Sequence, residues 1–126
     1  SDGTLLINEL AMRPHNSGHY SIEGCLTSQF ENHLRAVLDW PLGDPALVAP
    51  VVVTANVLGD AAGSDPRAHL PQVLALPGVR VHLYGKAARP GRKLGHVTVT
   101  GDDLATTRRR AQQAAQVLAS GEEGPA

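Results

Sequence analysis

The sequence has 126 residues, enough for one domain of ordinary size, and its core must be aliphatic, because 42% of residues are hydrophobic but only 3% aromatic. A net charge of −1 argues against broad electrostatic attachment to nucleic acid or an anionic membrane, so any anion recognition has to be local. Cys25 is the single cysteine, which excludes an internal disulfide and a Cys-rich zinc site.

Apolar runs stay short of the roughly 20 residues of a membrane span, and the N-terminus has no signal-peptide pattern. A reduced, cytoplasmic setting is expected. The chain opens on Ser1 rather than Met and almost at once on a strand pattern, which reads as a cut.

Thr4–Asn8 is short, apolar and partly β-branched, the pattern of a buried strand. The polar loop Glu9–Tyr20 would then sit at that strand's C-terminal end, a usual position for site residues in α/β folds. Over Ser21–Asp39, Ile22, Leu26, Phe30, Leu34 and Leu38 recur every four residues, as on one helix face. Ser21 before Glu23, or Thr27 and Ser28 before Glu31, supplies caps for one or two helices, and Gly24 makes a break between them plausible. Trp40–Pro45 contains two prolines and ends the helical pattern.

Val51–Leu58 has the composition of a strand buried on both faces or nearly so. Asp60–Arg67 reads as a loop and His69–Leu76 as a short helix stopped by Pro77-Gly78. Val79–Tyr84 and Lys93–Thr100 each alternate with period two, predicting an antiparallel hairpin with a long basic connection. Asp102-Asp103 opens a last helix whose apolar face is Leu104, Ala111, Ala115 and Leu118, with Arg108–Arg110 toward solvent. Residues 121–126 read as a frayed tail.

This order predicts an α+β fold. Residues 1–45 hold a strand, a loop and a helix that belong with a larger unit, and residues 46–120 form a small antiparallel β-sheet domain with helices. The sheet itself is expected to span Pro50–Ser120 with two small helices.

Two polar loops carry the chemistry. The first is Asn8–His19, with one carboxylate, one guanidinium, two imidazoles, two amides and a hydroxyl. Glu9 suits a hard cation such as Mg²⁺, which takes oxygen ligands; the other reading is a solvent-exposed Glu or one paired with Arg13. Arg13 can grip a carboxylate or phosphate bidentately. His15 and His19 have metal-ligand spacing only on a helix, which Pro14 and Gly18 disfavour, so zinc is discounted. Asn16 and Ser17 offer hydrogen bonds to a ligand or, as an Asx-type turn, to their own backbone.

The second loop, Tyr84–His96, holds Lys86, Arg89, Arg92 and Lys93 within eight residues and no acid. It reads as a local anion site without the Walker pattern, or as a charged hairpin tip that protects a sheet edge. His33, His69 and His82 show no partner pattern and read as ordinary surface or interface residues. Cys25 reads as a packed thiol.

Taken together, Asn8-Glu9-Leu10-Ala11-Met12-Arg13-Pro14-His15-Asn16-Ser17-Gly18-His19, Thr27–Val37, His82–Lys86 and Arg89–His96 resemble the 5-(carboxyamino)imidazole ribonucleotide synthetase family, ATP-grasp enzymes of purine biosynthesis. The resemblance covers nearly the whole chain but only the C-terminal third of such an enzyme. It implies a carbon-nitrogen ligase that carboxylates aminoimidazole ribonucleotide with ATP and bicarbonate, through carboxyphosphate. It also implies Mg²⁺ with ATP as cofactor, a homodimer when full length, and no nucleic-acid or membrane partner.

By this resemblance Glu9 binds the metal and Asn8 the nucleotide phosphates. Arg13, His15, Asn16 and Ser17 line the bicarbonate and ribonucleotide pocket. Lys86, Arg92 and Lys93 bind the ribonucleotide phosphate, with Arg13, His15 and Lys86 nearest the chemistry. Met12 departs from the Pro that many members carry. The family's ATP-binding lysines, adenine pocket and second metal carboxylate would all precede Ser1, so this chain alone is expected to be inactive. The alternatives are the C-terminal part of a formate-dependent glycinamide ribonucleotide transformylase, which carries Asp-Thr in place of Asn16-Ser17, and a non-catalytic dimerisation module acting through Ile22–Leu38.

Overall fold

The computed structural model describes residues 3–122. Its centre is a three-stranded antiparallel sheet of β1 (Val51–Leu58), β2 (Val79–Leu83) and β3 (Lys93–Gly101), in the order β1-β3-β2. Both outer strands run antiparallel to β3 and therefore parallel to each other. The connection between β1 and β2 crosses over through a 3₁₀ turn, Pro66–His69, and a short helix, α3 (Leu70–Leu74). The predicted hairpin between β2 and β3 is present, with Val81 opposite Val97 and His82 opposite His96.

One face of the sheet packs on the long C-terminal helix, numbered α4 (Leu104–Ser120). Val57, Val79, Val97 and Val99 meet Ala111, Ala114 and Leu118 there in a core made only of aliphatic side chains. Small alanines let the helix approach closely, which suits the aromatic-poor composition. Asp103 caps α4, its side chain accepting from the Thr106 N–H at 2.9 Å. Leu104 does not join the core; it lies at the first turn and is half exposed. Arg110 is not simply solvated, since it donates to the Pro77 carbonyl.

The opposite face is covered by the segment before the sheet. This comprises a one-turn helix, α1 (Ser21–Gly24), and α2 (Gln29–Val37), with the expected break between them. Ser28 caps α2 by accepting from the Glu31 N–H at 3.2 Å, while the Glu31 carboxylate pairs with Arg35. Cys25 is buried with a free thiol and forms an isolated antiparallel bridge with Leu47.

Four expectations are corrected. Thr4–Asn8 is not a strand and not buried: Leu5, Leu6 and Ile7 are 85–96% exposed. A strand needs a neighbour to take its backbone hydrogen bonds, and none of the three strands of the described sheet pairs with this segment. The Ile22–Leu38 line is divided between α1, the connection at Leu26 and α2, and Phe30, Leu34 and Leu38 on it are 39–61% exposed. β1 is an edge strand, mostly half-buried, whereas β3, predicted to be half-buried, is buried on both faces from Leu94 to Val99. The central place in the sheet goes to the strand covered on both sides, which alternation alone does not reveal. Of the predicted tail, Gly121 caps α4 by donating to Val117 O at 2.7 Å, and residues 123–126 lie outside the described residues.

Among the described residues, no helix is long and apolar enough to cross a membrane.

Candidate functional site

The first loop is built around a 3₁₀ turn, Asn16–Gly18, capped by a histidine rather than by Asn or Ser. His15 Nδ1 accepts from the Ser17 backbone N–H at 3.3 Å and lies 2.8 Å from the Ser17 hydroxyl. A backbone N–H can only donate, so Nδ1 is unprotonated and the imidazole proton sits on Nε2. That Nε2 lies 2.8 Å from the Glu9 carboxylate. Glu9 therefore pairs with His15 and not with Arg13, whose guanidinium donates to Pro14 O. The Asx-type turn is replaced by this imidazole cap.

Asn8, Glu9, Arg13, His15 and Ser17 line one open cleft of about 510 Å³, and Gln29 closes its inner side. Asn16 sits in the turn itself, with its carbonyl accepting from the His19 N–H. The Glu9 carboxylate stands on chain without regular secondary structure and is more than half exposed, not at the end of a buried strand.

The second loop is held at its base by Gly59, which follows β1. The Gly59 N–H donates to Arg92 O and its carbonyl accepts from the Gly91 N–H, both at 2.8 Å. A Cβ on Gly59 would come within 2.2 Å of Arg89 O, so only glycine admits this approach. Lys86 Nζ lies 5.3 Å from the centre of the Tyr84 ring, within cation–π range. Lys86 also lines a second cavity, of about 410 Å³, with Leu83, Leu94, Asp65 and Arg67. Arg67 is already paired with Asp65 at 2.7 Å, which leaves Lys86 as that cavity's available cation among its lining residues. Arg92 donates to Ala87 O and shapes the loop. Asn16, Arg92 and Lys93 line neither of these two cavities.

The two loops meet through a layer of rings on the covered face of the sheet. The His19 ring packs on Phe30 and His96 at 5.4 and 5.3 Å and meets the Tyr84 ring edge-on at 6.2 Å. Tyr84 Oη lies 2.7 Å from His96 Nδ1, and His82 Nε2 lies 2.5 Å from Glu23 Oε1. His82 is thus not an ordinary surface residue but joins the sheet to α1. His69 likewise has a partner, Leu118 O at 3.2 Å.

Burial, with the His82, His19 and Lys93 charges, holds His96 down to about 4. Burial and the Lys93 charge also lower His19, and burial raises Tyr84. His19, Tyr84 and His96 are therefore uncharged at pH 7, with Lys93 beside them. Gln29, Tyr84–His96 and Glu23–His82 were not legible as site features. Only the shared alternation of His82, Tyr84 and His96 in the predicted hairpin pointed toward such a layer.

Among the described residues, no three His, Cys, Asp or Glu side chains gather as a metal centre. Glu9 with Asn8 suits a single shared position on a hard cation whose other oxygens come from phosphate and water.

The ATP-grasp domain model matches residues 1–30, ahead of the sheet. The model of the phosphoribosylaminoimidazole carboxylase C-terminal domain matches residues 53–110. The chain is 58% identical over 125 residues to N5-carboxyaminoimidazole ribonucleotide synthase of Mycobacterium tuberculosis, covering 96% of this chain and 29% of that protein. The crystal structure of the Thermotoga maritima synthetase superposes with a TM-score of 0.77 at 43% identity, over 91% of this chain and 33% of that one. The Aspergillus clavatus synthase, solved with ADP and the aminoimidazole ribonucleotide, superposes at 0.72 with 41% identity, over 84% and 29%. The chain belongs to the N5-carboxyaminoimidazole ribonucleotide synthase family and matches its C-terminal part. It spans about 29% of the length of the curated relatives it matches.

Proposed function

We propose that this chain supplies one wall of the active site of an ATP-grasp ligase that carboxylates aminoimidazole ribonucleotide with ATP and bicarbonate. The observation that carries this reading is the single cleft formed by Asn8, Glu9, Arg13, His15 and Ser17, joined by a continuous ring layer to the cationic loop bearing Lys86. A homodimer and a division into residues 1–45 and 46–120 belong to the same reading.

Glu9 and Asn8 would hold Mg²⁺ with ATP, which when bound neutralises phosphate charge. Arg13 lines the cleft, and its guanidinium, which among the described residues donates to Pro14 O, binds a planar anion such as bicarbonate. The His15 proton on Nε2 points to Glu9, so the imidazole orients that carboxylate as well as capping the turn. Ser17 completes the rim, and Asn16 shapes the turn that carries it. Lys86 attracts the ribonucleotide phosphate from its place over Tyr84, and Arg92 and Lys93 add positive potential behind it. Fixed donors of this kind stabilise charge that develops in phosphoryl and acyl transfer.

The test replaces the matching segment of the Mycobacterium tuberculosis relative with this chain and measures ATP hydrolysis stimulated by aminoimidazole ribonucleotide. Glu9→Ala abolishes the stimulated rate, and Lys86→Ala chiefly raises the ribonucleotide concentration required. Unchanged kinetics in both variants would refute the assignment.

A further inference from the structure

The Gln29 carboxamide is saturated by the first loop. Its Oε1 accepts the His15 N–H at 3.0 Å, while its Nε2 donates to the His15 carbonyl at 2.7 Å and lies 2.8 Å from His19 Nδ1. The two contacts with the His15 main chain fix which end is oxygen and which nitrogen, so both Nε2 protons are committed and His19 Nδ1 is an acceptor. The backbone of the same residue is held as well. The Gln29 N–H donates to Ser21 Oγ at 2.9 Å, and that hydroxyl donates to Gly18 O at 2.5 Å. The fit is tight: a Cβ on Gly18 would lie 2.5 Å from Gln29 Oε1.

Beyond Gln29, the His19 ring touches the second loop. It packs on His96 and meets Tyr84 edge-on, and Lys86 stands over the Tyr84 ring. One side chain at the start of α2 thus holds the main chain that presents His15 and the ring that abuts Tyr84. We propose that Gln29 is a positioning residue that sets the two loops relative to each other, acting through His15 on the first and through His19 and Tyr84 on the second. Its effect on catalysis rests on the function proposed above, whereas its effect on loop geometry does not.

Two variants separate the possibilities. Gln29→Met keeps the volume and removes every polar contact. Gln29→Glu keeps an acceptor for the His15 N–H but sets a lone pair against the His15 carbonyl and meets His19 Nδ1 only when that nitrogen carries a proton, in the other neutral tautomer or in the charged ring. The titratable and charged groups facing His19 are His15 on its own loop, His82 on β2, Tyr84 and Lys86 beyond it, and His96 and Lys93 on β3.

The first arm is NMR of the histidine ring nitrogens and the aromatic signals of this chain. Wild-type His19 is expected as the Nε2–H tautomer, and Gln29→Met is expected to move Tyr84, His96 and Lys86 signals together with those of His15 and His19. Changes confined to His15 and His19 overturn the proposal.

The second arm is kinetic, in the segment-exchanged enzyme. Gln29→Met lowers kcat about tenfold or more at every pH, because small misplacement of reacting groups is costly. For Gln29→Glu the loss shrinks as pH falls, because a charged His19 ring bonds the new carboxylate more strongly than the neutral Nδ1–H tautomer does. A reduced unfolding midpoint with kcat, KM and the pH profile all unchanged would overturn it too. An exchanged enzyme that is inactive with Gln29 intact counts against the proposed function alone, and the NMR arm then decides the positioning role.

Discussion

The imidazoles of His82 and His96 lie stacked, with centroids 4.6 Å apart and planes 17° from parallel. They are opposite partners in the β2–β3 ladder, and a second positive charge in that stack would face the first without water between them. His96 is almost fully buried, and its low value of about 4 follows from that burial first and from the neighbouring charges second.

A histidine held below its unfolded value near 6.5 binds fewer protons folded than unfolded between pH 6.5 and about 4. Stability is therefore complete above pH 6.5 and is lost as pH falls through that window, by an amount on the order of 3 kcal/mol. Asp60, Asp65 and Asp103 are lowered by hydrogen bonds from Ser64, Arg67 and Thr106, so their contributions are lost only below about pH 4. Urea midpoints measured from pH 7.5 to 4.5 should fall with pH, and His96→Gln should flatten that slope. Equal slopes in the two proteins would rule His96 out as the cause.

The core prediction contrasts two leucines of α4. Leu118 is fully buried between helix and sheet, while Leu104 is half exposed at the helix start. Leu118→Ala should cost about 2–5 kcal/mol by loss of burial and the cavity left behind. Leu104→Ala should cost less than about 1 kcal/mol. Comparable losses by urea denaturation would mean that the helix is seated differently on the sheet.

Much of the sheet domain was legible in the sequence because its signals are local. Alternation at Val79–Leu83, the acids before Leu104 and the Ser28–Glu31 spacing each name a strand, a helix start or a cap. The site was legible as two loops and not as one assembly. What joins them is long-range: Gln29 reaches back fourteen residues to His15, and Glu23 reaches fifty-nine forward to His82. Single-sequence spacing carries no record of such partners. Thr4–Asn8 failed for a different reason, since strand-like composition does not say whether the segment joins a sheet, and this one lies outside the three-stranded sheet.

The cap on α2 gives a prediction that joins stability to the site. Ser28 accepts from the Glu31 N–H, and the Glu31 carboxylate is committed to Arg35, so no second side chain replaces the hydroxyl. Ser28→Ala should cost about 1 kcal/mol, whereas Ser28→Asp should retain most of it. Because Gln29 follows directly, amide exchange at His15 and Gly18 should accelerate in Ser28→Ala. Unaltered exchange there would separate the cap from the loop.

Gly59 fixes where the cationic loop begins. Its two backbone bonds to Gly91 and Arg92 run at 2.8 Å, and the Arg89 carbonyl occupies the space where a side chain would stand. An added methyl meets main chain rather than a movable side-chain tip, so the loop must shift or the bonds must break. Gly59→Ala should destabilise the protein by about 1–3 kcal/mol. In the segment-exchanged enzyme it should also raise the ribonucleotide KM by displacing Lys86, with a smaller effect on ATP. Gly78→Ala serves as the control: its φ of 73° brings a backbone cost with only an ordinary contact to Arg110, and it lines neither cavity. If both variants lose stability while only Gly59→Ala changes KM, the cationic loop is anchored at Gly59; equal KM in the two would place the anchor elsewhere.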